Sequence, residues 1–207
     1  MTTKKLPLNL ENTHYSLYGN FGERFAAGFL DGIFLIPITM GGVYINSLHL
    51  YNYYYTFFVT QLLISLYSIY LPVRYGATPG RLIMGLTILK LDGSAITYRE
   101  SFLKFLPTLL IGILVFVIQC LTIALADESV FDSLGWIEQT NYLKKISPIP
   151  IWVQMVVIYG YFLVTIIMVL TNPRKRSLSD QLAGTVVVYT RSLEKIKEYR
   201  KGLLDVK

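Results

Sequence analysis

Two charged residues that could do chemistry lie inside an apolar stretch near the start of the chain. Arg24 and Asp31 are seven residues apart, which is about two helical turns, so both would lie on one face of a helix. A carboxylate in hydrocarbon costs about 3 kcal/mol or more, so Asp31 must face protein or water. Two interpretations are open: a structural ion pair between Arg24 and Asp31, or an ion or proton site at Asp31.

A third charged residue stands near the end of the chain. Asp180 follows Ser177 at the spacing of a capping box, in which the two side chains satisfy the first backbone N–H groups of a helix. Asp180 is therefore either the capping acid of a short helix or a member of the same charge site as Arg24 and Asp31.

Polar residues at helical spacing also occur in three other apolar stretches. Such residues either join helices by hydrogen bonds and close packing or line a polar path beside Asp31. Four helices enclose only a narrow column, so a wide channel would require a homo-oligomer. The candidates for the path are Gln61, Ser65, Gln119, Gln154 and Thr165.

The composition indicates a membrane protein. The chain of 207 residues is 53% hydrophobic and only 15% charged, and its mean hydropathy is +0.48. A bilayer-spanning helix needs about 20 apolar residues, and four runs are long enough. These predicted spans are residues 25–48, 54–73, 105–126 and 149–170. We therefore predict an all-α membrane protein with four transmembrane helices and a lipid bilayer as its main partner.

The distribution of charge predicts the topology. The net charge is +6, and the basic residues concentrate in the two terminal segments and between spans two and three. By the positive-inside rule both termini and that middle segment are cytoplasmic, in a multi-pass protein of the cell (cytoplasmic) membrane. The charge pattern is explained by topology, and we expect no nucleic-acid partner.

The cytoplasmic segments are predicted to contain a small β module. Thr78 and Pro79 favour a short helix, and Asp92-Gly93 between two apolar runs favours a hairpin over residues 86–98. A strand at residues 185–189 is expected to pair with that hairpin. The module then comprises residues 76–100 and 178–190, within a membrane domain over residues 20–190. Residues 1–19 are expected to form an N-terminal cytoplasmic tail and residues 191–207 a basic cytoplasmic tail.

The sequence gives no pattern typical of an enzyme. It contains no HExxH motif, no P-loop and no nucleophile–base arrangement, and His14 and His49 lie far apart in sequence. Cys120 is the single cysteine and is interpreted as a packing residue. We therefore expect no catalytic residue, no metal and no cofactor.

Three ordered segments resemble the RDD family of small membrane proteins, which is named for an Arg and two Asp. They are ERFAAGFLDGIF, GATPGRLIMGLTILKLDGSAITYRESFLKFLP and RSLSDQLAGTVVV. The resemblance places the family's three charged residues at Arg24, Asp31 and Asp180.

The resemblance implies two classes of function. Some family members are described as cation/proton antiporters, and others as accessory proteins of membrane proteases or membrane complexes. The first hypothesis is an oligomeric transporter that exchanges a monovalent cation or small solute for protons. Asp31 would carry the proton, Arg24 would tune it, and Asp180 would be a cytoplasmic partner. The alternative is a non-catalytic adaptor whose cytoplasmic module docks a membrane-protein partner.

Overall fold

A computed structural model describes residues 5–8 and 16–202 of the chain. Residues 1–4, 9–15 and 203–207, among them His14 and the ends of both predicted tails, lie outside the described residues.

Within the described residues, four helices are long and apolar enough to cross a membrane, as the hydropathy predicts. The second of them consists of α2 (Asn52–Ser65), a π-helical turn (Leu66–Tyr70) and α3 (Leu71–Tyr75). The four spans are α1 at Phe21–Leu48, α2 to α3 at Asn52–Tyr75, α5 at Tyr98–Ala124 and α8 at Ile151–Thr171.

Helices α1 and α5 begin earlier than the apolar runs at residues 25 and 105, because polar side chains cap them before the hydrophobic stretch starts. Asn20 Oδ1 accepts a hydrogen bond from the Glu23 amide at 2.9 Å. The Thr97 amide donates to Glu100 Oε2 at 2.8 Å. Both are the side-chain caps that their sequence spacing predicts.

The remaining elements are short and lie between or after the spans. They are α4 (Pro79–Ile83), β1 (Leu86–Lys90), α6 (Glu128–Ser133), α7 (Trp136–Ile146), α9 (Leu178–Ala183), β2 (Thr185–Tyr189), a 3₁₀ turn (Thr190–Ser192) and α10 (Leu193–Arg200).

The chain forms two compact units, which are described separately. The first unit contains Met1–Phe34, Leu66–Leu106 and Leu163–Lys207. The second unit contains Leu35–Ser65 and Pro107–Phe162.

The first unit is built on a two-stranded antiparallel sheet. β1 pairs with β2, with Leu86 opposite Tyr189 and Lys90 opposite Thr185. The predicted pairing between these segments is confirmed, but the predicted hairpin is shorter than expected. The Asp92-Gly93 turn forms, with Gly93 at φ +80°, and it closes on one bridge between Leu89 and Ala95. A longer return strand cannot form because α5 begins at Tyr98, three residues after Ala95.

The described N-terminal residues pack into the first unit and differ from the tail that the sequence predicts. Leu6, Leu17 and Tyr18 are almost fully buried, and the Tyr189 amide donates to the Leu17 carbonyl at 3.1 Å. Ile196 of α10 is buried in the same cluster. These apolar side chains cover the sheet face that Val186 and Val188 line. The scattered hydrophobic residues of this otherwise polar N-terminal segment therefore pack against the sheet.

The second unit contains the connection after α5. Asp127 Oδ1 caps α6 by accepting from the amides of Ser129 and Val130. Gln139 of α7 donates to the carbonyl oxygens of Ser47 and Phe131, both at 3.2 Å. A small apolar cluster lies beneath α6 and α7, formed by Leu50, Ile123, Phe131 and Leu143.

Candidate functional site

Asp31 lies on α1 and accepts three hydrogen bonds from neutral groups. Its Oδ1 accepts from the Tyr67 hydroxyl at 2.6 Å and from the Gly80 amide at 2.8 Å, and its Oδ2 accepts from the Thr78 hydroxyl at 2.6 Å. An ionised carboxylate offers about four lone-pair positions, so Oδ2 keeps one position free for a further ligand. The three donors are short and converge, which stabilises the negative charge by hydrogen bonding alone.

The contact between Asp31 and α4 depends on the absence of a side chain at Gly80. A Cβ at this position would lie 2.3 Å from the Ala27 carbonyl oxygen and 2.7 Å from Asp31 Oδ1. Asp31 therefore caps the first turn of α4 from another helix. Thr78, predicted to cap that turn, occupies the N-cap position but makes no side-chain cap, and its hydroxyl donates to Asp31.

Tyr67 reaches Asp31 from the π-helical turn of the second span. The buried hydroxyl of Ser101, on α5, donates to the carbonyl oxygen of Ile69 in the same turn at 3.1 Å. A π-helical turn frees backbone carbonyls and redirects side chains, and such turns are frequent at functional sites. The interruption of the second span therefore positions one of the three Asp31 donors.

Arg24 pairs with Asp180 and not with Asp31, which corrects the structural ion pair considered from the sequence. Its Nη1 donates to Asp180 Oδ2 at 3.0 Å, and its Nε donates to the Gly19 carbonyl at 3.0 Å. Helical side chains point toward the helix N-terminus, and seven residues of helix rise about 10 Å. Arg24 therefore extends away from Asp31, although both residues lie on the same face.

Asp180 is buried and has two cationic partners. Besides Arg24, the ammonium group of Lys104 on α5 contacts its Oδ1, and the carboxyl group is 1% exposed. Burial alone would raise the pKa of Asp180, but the charges of Lys104 and Arg24 outweigh it and hold that pKa well below its usual range.

Asp180 also caps its own helix, so its two interpretations are compatible. The Ser177 amide donates to Asp180 Oδ2 at 3.2 Å, and the Asp180 amide donates to Ser177 Oγ at 3.1 Å, which is the predicted capping box. The Thr185 hydroxyl adds a bond to Oδ1 at 3.1 Å. One carboxylate thus joins α9 to β2, α1 and α5.

Asp31 and Asp180 differ in their electrostatic partners. Among the described residues, the ion pairs within 4.0 Å include Asp180 twice and do not include Asp31. Asp31 is therefore held by neutral hydrogen-bond donors at contact distance, whereas Asp180 is held by two cations.

Sequence reasoning missed three of the side chains that complete these contacts. In the sequence, Lys104 is one of several basic residues between spans two and three, and no spacing distinguishes Tyr67 or Ser101. The available signal was position, because Lys104 stands two turns into α5, where an uncompensated cation would lie beside the apolar run.

Three of the five polar path candidates line cavities in the second unit. Gln61 and Gln119 line a cavity of about 410 Å³ with residues of α1, α2 and α5. Gln119 and Gln154 line a separate cavity of about 180 Å³. Ser65 and Thr165 are not among the described lining residues of either cavity, and neither is Asp31. Thr165 belongs to the first unit, and its Oγ1 is buried without a hydrogen-bond partner in the described part of the chain.

A His–carboxylate cluster lies on the surface of the second unit. His49 Nε2 is 3.1 Å from Glu128 Oε1, and Asp132 lies one turn further along α6. The potential ligand atoms lie within 4.8 Å of one another. Sequence spacing could not reveal this cluster, because its members are about 80 residues apart. The Tyr51 amide donates to His49 Nδ1 at 3.3 Å, and a hydrogen bond between Nε2 and Glu128 accounts for the arrangement.

Comparison with known proteins identifies the family. The sequence profile of the RDD family matches residues 18–184, which include Arg24, Asp31 and Asp180. No curated protein and no solved structure matches the chain at a significant level. The four apolar helices and this match together show that the chain is a multi-pass membrane protein of the RDD family.

Proposed function

We propose that this protein exchanges a monovalent cation or small solute for protons and that Asp31 is the group that binds the proton. The observation that carries the proposal is the environment of Asp31. Its carboxylate lies on a membrane helix and is held by Tyr67, Thr78 and Gly80, all neutral donors. An intramembrane carboxylate without a paired cation is a typical proton or cation site.

The Asp31 contacts also provide a way to couple proton binding to movement. A protonated carboxyl group becomes a donor and can no longer accept all three hydrogen bonds with the same strength. The bonds donated by the Thr78 hydroxyl and the Gly80 amide would both weaken, because a neutral carboxyl oxygen is a poorer acceptor than a carboxylate oxygen. Proton binding would in this way loosen α4, which is held against α1 at that point.

Arg24, Asp180 and Lys104 serve in this proposal as the fixed frame of the site. Two cations keep Asp180 ionised, so its charge does not change during a cycle near neutral pH. We propose that these three residues have a structural and non-catalytic role. We further propose that both termini are cytoplasmic and that the transporting form is a homo-oligomer.

Ion flux in proteoliposomes tests the proposal. A pH gradient is imposed, sodium, potassium or lithium is added in turn, and wild type is compared with Asp31→Asn. Asp132→Asn is the matched control, because it removes an exposed carboxylate in the second unit. We expect cation-dependent proton movement in wild type and in the control and none in Asp31→Asn. An Asp31→Asn protein that transports protons at the wild-type rate would refute the role of Asp31.

A second function is favoured by the outward surface of the cytoplasmic module. Ile83 of α4 and Leu182 of α9 are 62% and 54% exposed, on elements that Asp31 and Asp180 fix in place. An adaptor would present such residues to a membrane protein, and the charged residues would only maintain the module. Photo-crosslinking from Ile83 in native membranes tests this role, with Lys197 of α10 as the control position. A discrete adduct at Ile83 alone would support the adaptor, and equal labelling at both positions would argue against it.

A further inference from the structure

The cavity of about 180 Å³ in the second unit has a chemically selective lining. It lies where α5, α7 and α8 contribute residues, and we call it the Lys144 cavity. The lining residues that carry polar side-chain groups are Tyr53, Gln119, Thr122, Thr140, Lys144, Ser147 and Gln154.

The three aliphatic hydroxyl groups of this cavity already donate to the protein. Thr122 donates to the Ile118 carbonyl at 2.8 Å, Thr140 to the Trp136 carbonyl at 3.1 Å, and Ser147 to the Ile149 carbonyl at 2.9 Å. Each hydroxyl has one hydrogen, so these three groups present only lone pairs to an occupant.

Two nitrogen groups of the lining have no hydrogen-bond or ion-pair partner among the described residues. The Gln119 amide nitrogen is buried and unpaired. The Lys144 ammonium has no carboxylate within 4.0 Å in the same part of the chain, and the residue is exposed. Buried donors without partners are rare in folded proteins, so an occupant that accepts a hydrogen bond would complete the site.

The charge and size of the cavity restrict the class of that occupant. Among its described lining residues there is one ammonium group and no carboxylate, so the local field favours anions and disfavours a bare cation. The volume corresponds to about six water molecules at about 30 Å³ each. A small carboxylate of about four to six non-hydrogen atoms matches both the volume and the two donors.

We propose that the Lys144 cavity binds a small organic monocarboxylate, with Lys144 pairing with its charge and Gln119 donating to its oxygen. The further statement that such an anion is the small solute exchanged by this protein rests on the proposed function. The binding statement itself does not, because it depends only on residues of the second unit.

Isothermal titration calorimetry on the purified full-length protein in detergent tests the binding site. The probes are choline acetate and choline lactate, with choline chloride, sodium chloride and potassium chloride as controls. Lys144→Gln and Gln119→Leu each remove one donor. Lys145→Gln is the matched control, because Lys145 is the adjacent exposed cation and is not among the described lining residues.

We expect saturable binding of acetate or lactate by wild type and by Lys145→Gln. Loss of a charge-assisted hydrogen bond should weaken binding about 10- to 100-fold in Lys144→Gln. Gln119→Leu should weaken it about 5-fold or more, and Gln119→Glu, which places a carboxylate in the cavity, replaces it if the leucine variant does not fold. Absence of saturable binding by wild type, equal binding of chloride, or equal losses in the Lys144 and Lys145 variants would each overturn the proposal.

The same measurement on Asp31→Asn separates this proposal from the proposed function. We expect Asp31→Asn to bind lactate like wild type, since Asp31 is not among the described lining residues of the cavity. Lactate binding without any proton-coupled flux would overturn the transport proposal and keep the site. Flux of cations without lactate binding would overturn the site and keep the transport proposal.

Discussion

Gly80→Ala tests the docking of α4 on α1 most directly. The added methyl group would lie 2.3 Å from the Ala27 carbonyl oxygen, about 1 Å inside normal van der Waals contact. That oxygen belongs to the backbone of α1 and cannot rotate away, so α4 has to move. A displacement of about 1 Å breaks the hydrogen bonds that Gly80 and Thr78 donate to Asp31 at 2.8 and 2.6 Å.

The expected cost follows from these two bonds. A hydrogen bond to a charged group contributes about 1.5–3 kcal/mol, and partial recovery by relaxation or water leaves a net loss of about 2–4 kcal/mol. For a chain of this size that corresponds to a Tm lower by about 4–16 °C. Thermal unfolding in detergent, followed by circular dichroism and by size-exclusion recovery, measures the shift.

Gly28→Ala is the matched control for this experiment. Gly28 lies on the same helix α1, and a Cβ there meets no atom within 4 Å. Alanine in place of glycine in a helix adds about 0.5–1 kcal/mol of stability. We expect the control to be as stable as wild type or slightly more stable. If Gly80→Ala unfolds at the same temperature as Gly28→Ala, the close approach of α4 to α1 is refuted.

Four further outcomes are expected. Asp180→Asn should destabilise the protein by about 3–5 kcal/mol in the same assay, because it strands two buried cations, whereas Asp132→Asn should change the stability by less than about 0.5 kcal/mol. Because the folded pKa of Asp180 is depressed, its contribution to stability is present above the unfolded value of about 4 and is lost as the pH falls below it, so acid titration of wild type should show a loss that Asp180→Asn lacks. Thr78→Val should cost about 1.5–3 kcal/mol by removing one donor to Asp31, and the loss should be absent in an Asp31→Asn background if the two residues act as a pair. In a cysteine-free background, Ser129→Cys should react with an impermeant thiol reagent from outside the cell and Ser94→Cys should not, and the reverse labelling would contradict cytoplasmic termini.

The membrane helices could be predicted from the sequence because hydropathy is a local property. Each span is a run of about 20 residues whose composition alone separates it from the rest of the chain. The caps at Thr97 and Ser177 are also local, since the two members of each lie within four residues. The structure contains the full capping box at Ser177 and the Glu100 half of the one at Thr97. Features that are determined within one or two helical turns can therefore be predicted from the sequence.

The partners of the charged residues could not be predicted in the same way. Arg24 lies 156 residues from Asp180 in sequence and only seven from Asp31, so proximity in sequence favoured the wrong pair. The deciding factor is the direction of the Arg24 side chain together with the position of α9, and neither follows from spacing. The role of Gly80 could not be predicted either. Only the position of the Ala27 carbonyl oxygen beside it shows that there is no room for a Cβ at this residue.

The contacts of Asp31 and Asp180 support the proposal that Asp31, and not Asp180, is the residue whose charge changes. Neutralising Asp180 would leave Arg24 and Lys104 buried without a counter-charge, which is a large cost for each protonation event. In the proposed function, neutralising Asp31 weakens three accepted hydrogen bonds and leaves no described cation unpaired at contact distance. Asp180 would keep its charge while that of Asp31 changes, and a shift of α4 against α1 would report the change.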